Sequence, residues 1–281
     1  MLQIITLILI GLIASIAGSL VGIGGGIIIV PSLIFFGIEL GILPMMTPQK
    51  AIGTSSVILI ATGLSATISY YKSNQIDVKN AIIFLIGIIP GAFIGAYTSQ
   101  FFSLDSFNLV FGLFLIIVSF ILLFRDRFKP MKLFQPKQMT TYRSPTGEFF
   151  EYGVPVVAGI VSTFVVGFFT GLFGIGGGVL MTPLMLIIFR FPPHLAVGTS
   201  MLMVFAASLS GTTSHIMQGN VVWIYAVTLI IAAFIGAKIG SWLNKKMASE
   251  RIVLLLRMML LLIGIYSVSY THLTLPTSDL V

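Results

Sequence analysis

Gly22-Ile23-Gly24-Gly25-Gly26, with Pro31 five residues beyond, interrupts an otherwise apolar stretch, and it returns as Gly174-Ile175-Gly176-Gly177-Gly178 with Pro183. Both landmarks repeat at an offset of 152 residues (174 − 22 and 183 − 31). Ala51-Ile52-Gly53-Thr54-Ser55 returns as Ala196-Val197-Gly198-Thr199-Ser200 at an offset of 145 (196 − 51). The first copy thus carries seven extra residues between its Pro and its Gly-Thr-Ser (152 − 145). Gly91 and Gly95 match Gly236 and Gly240 at 145 as well, each pair a small-xxx-small spacing that lets helices approach closely. In a membrane protein, a duplicated apolar unit broken by glycines is the best sequence-level pointer to a transport site.

Composition sets the class. Of 281 residues, 57% are hydrophobic and 8% charged, too little polar surface for a soluble chain of this size. The apolar stretches are long enough to cross a bilayer as helices, and the alternation of a membrane barrel is absent. The chain has no cysteine, which removes disulfides, thiolate nucleophiles and thiolate metal ligands. The net charge of +7 lies mostly in loops beside spans, so it reads as topology information and not as a nucleic-acid signature. The N-terminus, Met-Leu-Gln-Ile-Ile, has no basic region, and its apolar stretch has a counterpart at 156–173. It reads as part of the fold and not as a cleaved signal peptide.

Residues 1–125 form the first transmembrane repeat, with apolar segments at 2–21, 27–36, 51–71, 78–101 and 107–124. Residues 126–152 form a basic cytoplasmic linker; with its approach it holds Arg125, Arg127, Lys129, Lys132, Lys137 and Arg143, and its Pro130, Pro136 and Pro145 discourage regular structure. Residues 153–270 form the second repeat, with apolar segments at 154–173, 179–189, 195–217, 221–242 and 252–269. Residues 271–281 are polar, lack a counterpart, and resemble a non-native read-through tail.

Charge chooses between two topologies. If each repeat crossed the membrane an even number of times, Lys50, Arg190, Lys245, Lys246 and Arg251 would all face outwards. If the glycine break makes the first segment double back, each repeat crosses an odd number of times. Arg190, Lys245, Lys246 and Arg251 then join the linker inside, and only Lys50 stays outside, in accord with the positive-inside rule. The expectation is an all-α polytopic membrane protein of two inverted repeats. Each repeat has one broken or re-entrant element and three spans, about eight helices by the usual counting, and both chain ends are external. The alternative is a plain eight-span bundle with cytoplasmic termini.

Consecutive glycines weaken a helix by roughly 1 kcal/mol each relative to alanine, so Gly22–Gly26 and Gly174–Gly178 can unwind. Unwound backbone at membrane depth is tolerated where it lines a cavity or is buried in protein. Freed amides beside the N-terminus of the following short helix suit an anion. The competing reading is close helix packing. Thr54, Ser55, Thr199 and Ser200 offer hydroxyls beside a glycine; the competing reading there is back-bonding to the helix's own carbonyls. A phosphate-loop reading fails, with no preceding strand and no Lys-Ser/Thr after the glycines.

No carboxylate falls in mid-span: Glu39, Asp77, Asp105, Asp126, Glu148, Glu151, Glu250 and Asp279 all lie in loops or at span ends. This argues against a cation pump, a carboxylate proton relay or an intramembrane aspartyl protease. His194, His215 and His272 are too dispersed for a metal site. No cofactor is expected. Lys238 and Arg257 read as snorkelling cations, His215 aligns with Tyr70 at an interface, and Trp223, Trp242, Tyr70 and Tyr71 read as headgroup anchors.

At these motifs the chain resembles the TauE/SafE family of sulfite exporters, over nearly its whole length apart from the linker and the tail. The resemblance implies about eight helices in a prokaryotic inner membrane, and export of a sulfur-containing or other small oxyanion by secondary transport or facilitated diffusion. Carried over by motif, the substrate-binding positions are Gly22, Gly24, Gly25, Gly26, Thr54, Ser55, Gly174, Gly176, Gly177, Gly178, Thr199 and Ser200. The partners expected are a small anionic substrate and membrane lipid. An accessory scaffold or assembly protein that docks through the linker is the alternative; a membrane enzyme is disfavoured for want of an acid–base or metal set.

Overall fold

The computed structural model describes residues 2–101, 110, 113, 140–143, 149–256, 258 and 259. The expected span at 107–124, most of that at 252–269, Arg257, the basic residues at 125–137 and the 271–281 tail lie outside them. Residues 249–256 are helical, and the α-helices with defined bounds are α1 (Leu2–Val21), α2 (Gly26–Ile34), α3 (Pro48–Tyr71), α4 (Val78–Thr98), α5 (Val156–Phe173), α6 (Gly178–Ile187), α7 (Pro193–Met217) and α8 (Trp223–Lys246). Six of them are long and apolar enough to cross a membrane, the exceptions being α2 and α6.

Local chemistry sets the boundaries. Pro48 and Pro193 occupy first-turn positions, where a missing amide hydrogen costs nothing, so α3 and α7 start earlier than the expected 51 and 195. Thr47 caps α3 by accepting from the Lys50 amide at 3.3 Å. Asp77 caps α4, its Oδ1 accepting from the Asn80 amide at 3.1 Å. Lys245 and Lys246 lie in the last turn of α8, where cations oppose the helix dipole, and not in a loop. Lys238 is exposed on the outer face of α8.

The linker departs from the expectation drawn from its prolines. Thr140–Arg143 (β1) and Phe149–Tyr152 (β2) pair antiparallel, with Thr140 opposite Tyr152 and Arg143 opposite Phe149. Pro145 falls between the two strands, where it interrupts neither ladder, and the strands are built of threonine and aromatic residues that favour extended backbone.

Packing follows the glycines. α4 runs parallel to α5, with Gly87, Gly91 and Gly95 against the backbone of residues 160–168, and Gly167 and Gly171 of α5 set against α4 in return. α1 runs parallel to α8 in the same way, Gly236 and Gly240 lying on the Leu12 and Ile16 carbonyls. α3 and α7 cross the middle antiparallel: Gly53 near the start of α3 meets Asn220 beyond the end of α7, and Gly198 near the start of α7 meets Gln75 beyond the end of α3.

Both short helices turn back. The Gln3 amide nitrogen donates to the Ile42 carbonyl at 2.8 Å, so the chain after α2 lies beside the start of α1. The Gly153 amide donates to the Phe189 carbonyl at 3.4 Å, so the chain after α6 lies beside the start of α5. One end of the bundle therefore gathers Lys72, Lys79, Arg190, Lys245, Lys246 and Arg251, and the other carries Lys50.

Candidate functional site: two paired glycine breaks

Both glycine runs are unwound. Gly22 (φ 79°), Gly24 and Gly25 (both 90°), Gly174 (64°), Gly176 (83°) and Gly177 (64°) adopt the left-handed backbone that side chains disfavour. All ten residues of the two runs are buried. The Ile23 and Gly24 amides both donate to the Gly18 carbonyl, at 2.7 and 3.0 Å, and the Gly174 amide donates to the Thr170 carbonyl at 2.8 Å. The amides of Gly25, Gly26 and Ile27 in one break and of Ile175, Gly176, Gly177 and Val179 in the other donate to no group among the described residues. Buried unpaired amides are rare, because each forfeits its hydration without replacement.

The breaks lie side by side and antiparallel. Gly26 sits on the Gly174 carbonyl, where a Cβ would come within 2.6 Å of the oxygen, and Gly178 sits on the Gly22 carbonyl. Gly24 and Gly176 both lie against Leu59 of α3, with Val204 of α7 also against Gly24. The sequence readings of unwound backbone and of close packing thus hold together: the runs are unwound, and glycine is also what lets each approach the other.

Hydroxyls clamp this arrangement. Ser55 Oγ donates to the Gly174 carbonyl at 2.9 Å, and Ser200 Oγ donates to the Gly22 carbonyl at 2.7 Å. Neither back-bonds to its own helix. Thr182 Oγ1 adds a second donor to the Gly22 carbonyl at 2.9 Å; its counterpart in the first copy is Val30 (182 − 152), so the other carbonyl lacks this bond. Thr54 Oγ1 accepts from the Val222 amide at 3.1 Å and Thr199 Oγ1 from the Asp77 amide at 3.0 Å. Each ties its span to a loop, and neither hydroxyl donates among the described residues. The structure thus brings the two glycine runs, Ser55 and Ser200 into direct contact, and places Thr54 and Thr199 one residue away, at the loop-facing ends.

Beside the first break, Ser15 Oγ and Thr62 Oγ1 pair at 2.9 Å, and the Asn244 side-chain amide donates to the Leu20 carbonyl at 2.6 Å while its oxygen lies 3.2 Å from His194 Nδ1. Sequence reading missed Thr182, Ser15, Thr62 and Asn244. Thr182, Ser15 and Thr62 match Val30, Gly167 and Ala207 in the other copy, so duplication gave no signal; Asn244 matches Ser99 but lies beside Lys245 and Lys246, where a polar side chain reads as a span end. No carboxylate, ammonium or guanidinium is among the buried side chains of the described residues, and no group of three or more metal-ligating side chains occurs among them.

A family model described as "Sulfite exporter TauE/SafE" matches residues 7–267. The chain is 44% identical to the "Probable membrane transporter protein YunE" of Bacillus subtilis (strain 168), over 92% of this chain and 95% of that protein. It is 26% identical to the "Probable membrane transporter protein MJ0441" of Methanocaldococcus jannaschii, over 92% and 93%. It is 23% identical to the "Probable membrane transporter protein YfcA" of Escherichia coli (strain K12), over 82% and 75%. No solved structure matches the chain.

Proposed function

We propose, from the premise that this chain belongs to the sulfite exporter TauE/SafE family of membrane transporters, that it exports a small oxyanion of the sulfite or organosulfonate class through the paired glycine breaks. The observation that carries this reading is the run of buried amides without an acceptor in each break. They open the helices α2 and α6, whose N-termini add partial positive charge. An oxyanion bound there gains several donors and meets no buried carboxylate.

The two halves are read as inverted repeats of one unit in a prokaryotic inner membrane. The antiparallel course of α3 and α7, which carry the same Gly-Thr-Ser motif, supports inversion. The two doubled-back hairpins support an odd number of crossings in each half. The basic end is then cytoplasmic. No nucleotide-binding motif is present, so transport is secondary or facilitated; an inside-negative membrane potential favours anion exit by about 2.3 kcal/mol per charge per 100 mV.

Purified protein in liposomes is expected to exchange radiolabelled methanesulfonate or sulfite. Thr54→Val combined with Thr199→Val removes two hydroxyl donors and is expected to lower exchange by about tenfold or more, the scale of one or two lost charge-assisted hydrogen bonds. Thr54→Ser with Thr199→Ser is expected to retain it. Equal exchange by the valine and serine pairs would remove these hydroxyls from the site.

A further inference from the structure

His215 lies in the last turn of α7 and is fully buried. Its Nε2 stands 3.2 Å from the Gly171 carbonyl, so that nitrogen carries the hydrogen and donates. Nδ1 is then a bare lone pair, and it has no partner; nor has Thr212 Oγ1, three residues earlier on the same helix. The duplication supplies a comparison within the molecule. Tyr70 matches His215 (215 − 70 = 145) and donates its hydroxyl hydrogen to the Ser19 carbonyl at 2.7 Å, and Ser19 matches Gly171 (171 − 19 = 152). Anchoring the end of a span to the first helix of its own repeat therefore needs one donor, and a phenol suffices. The second nitrogen of His215 is surplus to that task.

Its position joins it to the second break. Gly171 precedes Gly174 by three residues, and Thr170 beside it accepts the Gly174 amide and lies against Gly177. The groups around the imidazole are neutral: Thr212, Ser214 and Gln218 on α7, Thr170 and Gly171 on α5, Ala92 and Ala96 on α4. Among the described residues of α4 and α5 the one charged side chain is Lys79, at the far end of α4. Lys50, in the first turn of α3, is the cation at the same end of the bundle as His215. An imidazolium here has no counter-ion, which is costly at membrane depth, although the C-terminus of α7 favours positive charge. An anion at the adjacent break would supply what is missing.

We propose that His215 is a proton-binding site coupled to the anion site, an inference that rests on the anion reading above. Nδ1 takes one proton from the solvent when an anion occupies the second break, Nε2–H stays on the Gly171 carbonyl, and the proton leaves with the anion. A monoanion then moves without net charge, driven by its own concentration gradient, and the membrane potential acts only on anion that moves without the proton. By linkage, acid strengthens anion binding by the factor by which the anion strengthens proton binding.

Methanesulfonate is the probe, because it does not titrate near neutrality. Wild-type protein in liposomes loaded with a pH-sensitive dye is expected to move it at least about fivefold faster at about pH 6 than at about pH 8, the lower bound of ordinary coupling energies, with protons moving alongside. His215→Tyr copies the first half of the molecule and keeps a donor for Gly171. It is expected to unfold at a temperature close to wild type, and to give flux that is flat with pH and carries no protons. A tyrosine variant with the wild-type pH profile and proton movement overturns the proton site and leaves the anion reading intact. No methanesulfonate movement by wild type at either pH overturns the anion reading and the coupling role with it.

Discussion

At Gly178 one methyl group decides whether the centre of the molecule can close. A Cβ there would enter the space of the Gly22 carbonyl and the Ile23 backbone. That carbonyl cannot retreat, since Ser200 and Thr182 both hold it. Gly211 offers the contrast: the nearest atom to its Cβ would be 3.7 Å away, ordinary contact. Gly178→Ala is therefore expected to destabilise the protein by about 1–3 kcal/mol, the scale of overpacking, while Gly211→Ala is neutral or stabilising by up to about 1 kcal/mol from helix propensity. Thermal unfolding in detergent checks both, and equal melting temperatures would refute the backbone contact. The sequence made the two glycine runs legible as breaks, but it read Tyr70 as a headgroup anchor as well as the match of His215, whereas the phenol is fully buried on the Ser19 carbonyl. It did not make legible that each run rests on the other's carbonyl, because a backbone-to-backbone contact across about 150 residues leaves no side-chain signature beyond the glycine itself.

Among the elements, the helices were legible because each needs an uninterrupted apolar stretch, and their glycine seams recur at matched positions. The β1–β2 ribbon was not, since prolines either side of two four-residue strands mask a short alternation. Its docking is what gives it consequence. Tyr152, buried at the end of β2, packs at a tilt against Phe191 with ring centres 4.5 Å apart and donates its hydroxyl hydrogen to Asp77 Oδ2 at 2.9 Å. Asp77 in turn caps α4 and gives its amide to Thr199, so the ribbon braces the loop that holds the second Gly-Thr-Ser motif. Burial first, and the Asp77 carboxylate second, raise the Tyr152 phenol well above its ordinary value of 10.0. The folded protein thus keeps a proton that the unfolded chain loses above about pH 10. Stability from this site is whole below that pH and falls as pH rises past it. Tyr152→Phe is expected to flatten the alkaline fall in melting temperature and to lower the plateau below it by about 1 kcal/mol, one hydrogen bond. An alkaline slope identical to wild type would show that the phenol ionises freely.

At the scale of the whole molecule, orientation follows from where doubling back sends the charges. If α1 with α2, and α5 with α6, each made one continuous crossing, Lys72 and Arg190 would lie at opposite ends; because both hairpins return, Lys72, Arg190, Lys245 and Lys246 share one end, and the loops at 40–47 and 218–222 share the other. Charge bias alone suggested this arrangement in the sequence, and the hydrogen bonds Gln3 to Ile42 and Gly153 to Phe189 give it a geometric basis. The chain has no cysteine, so a single introduced thiol reports its own side of the membrane without background. Ser73→Cys, at the basic end, is expected to resist a membrane-impermeant maleimide in intact cells and to react once the cells are opened. Gly219→Cys, at the opposite end, at a left-handed backbone position (φ 71°) but with open space where its Cβ would stand, is expected to react in intact cells. The reverse pattern would turn the molecule over, placing six cations outside against the charge rule. Labelling of both positions from outside would mean that at least one of the spans α3 and α7 does not cross, and with it the inverted relation of the two Gly-Thr-Ser motifs would fail.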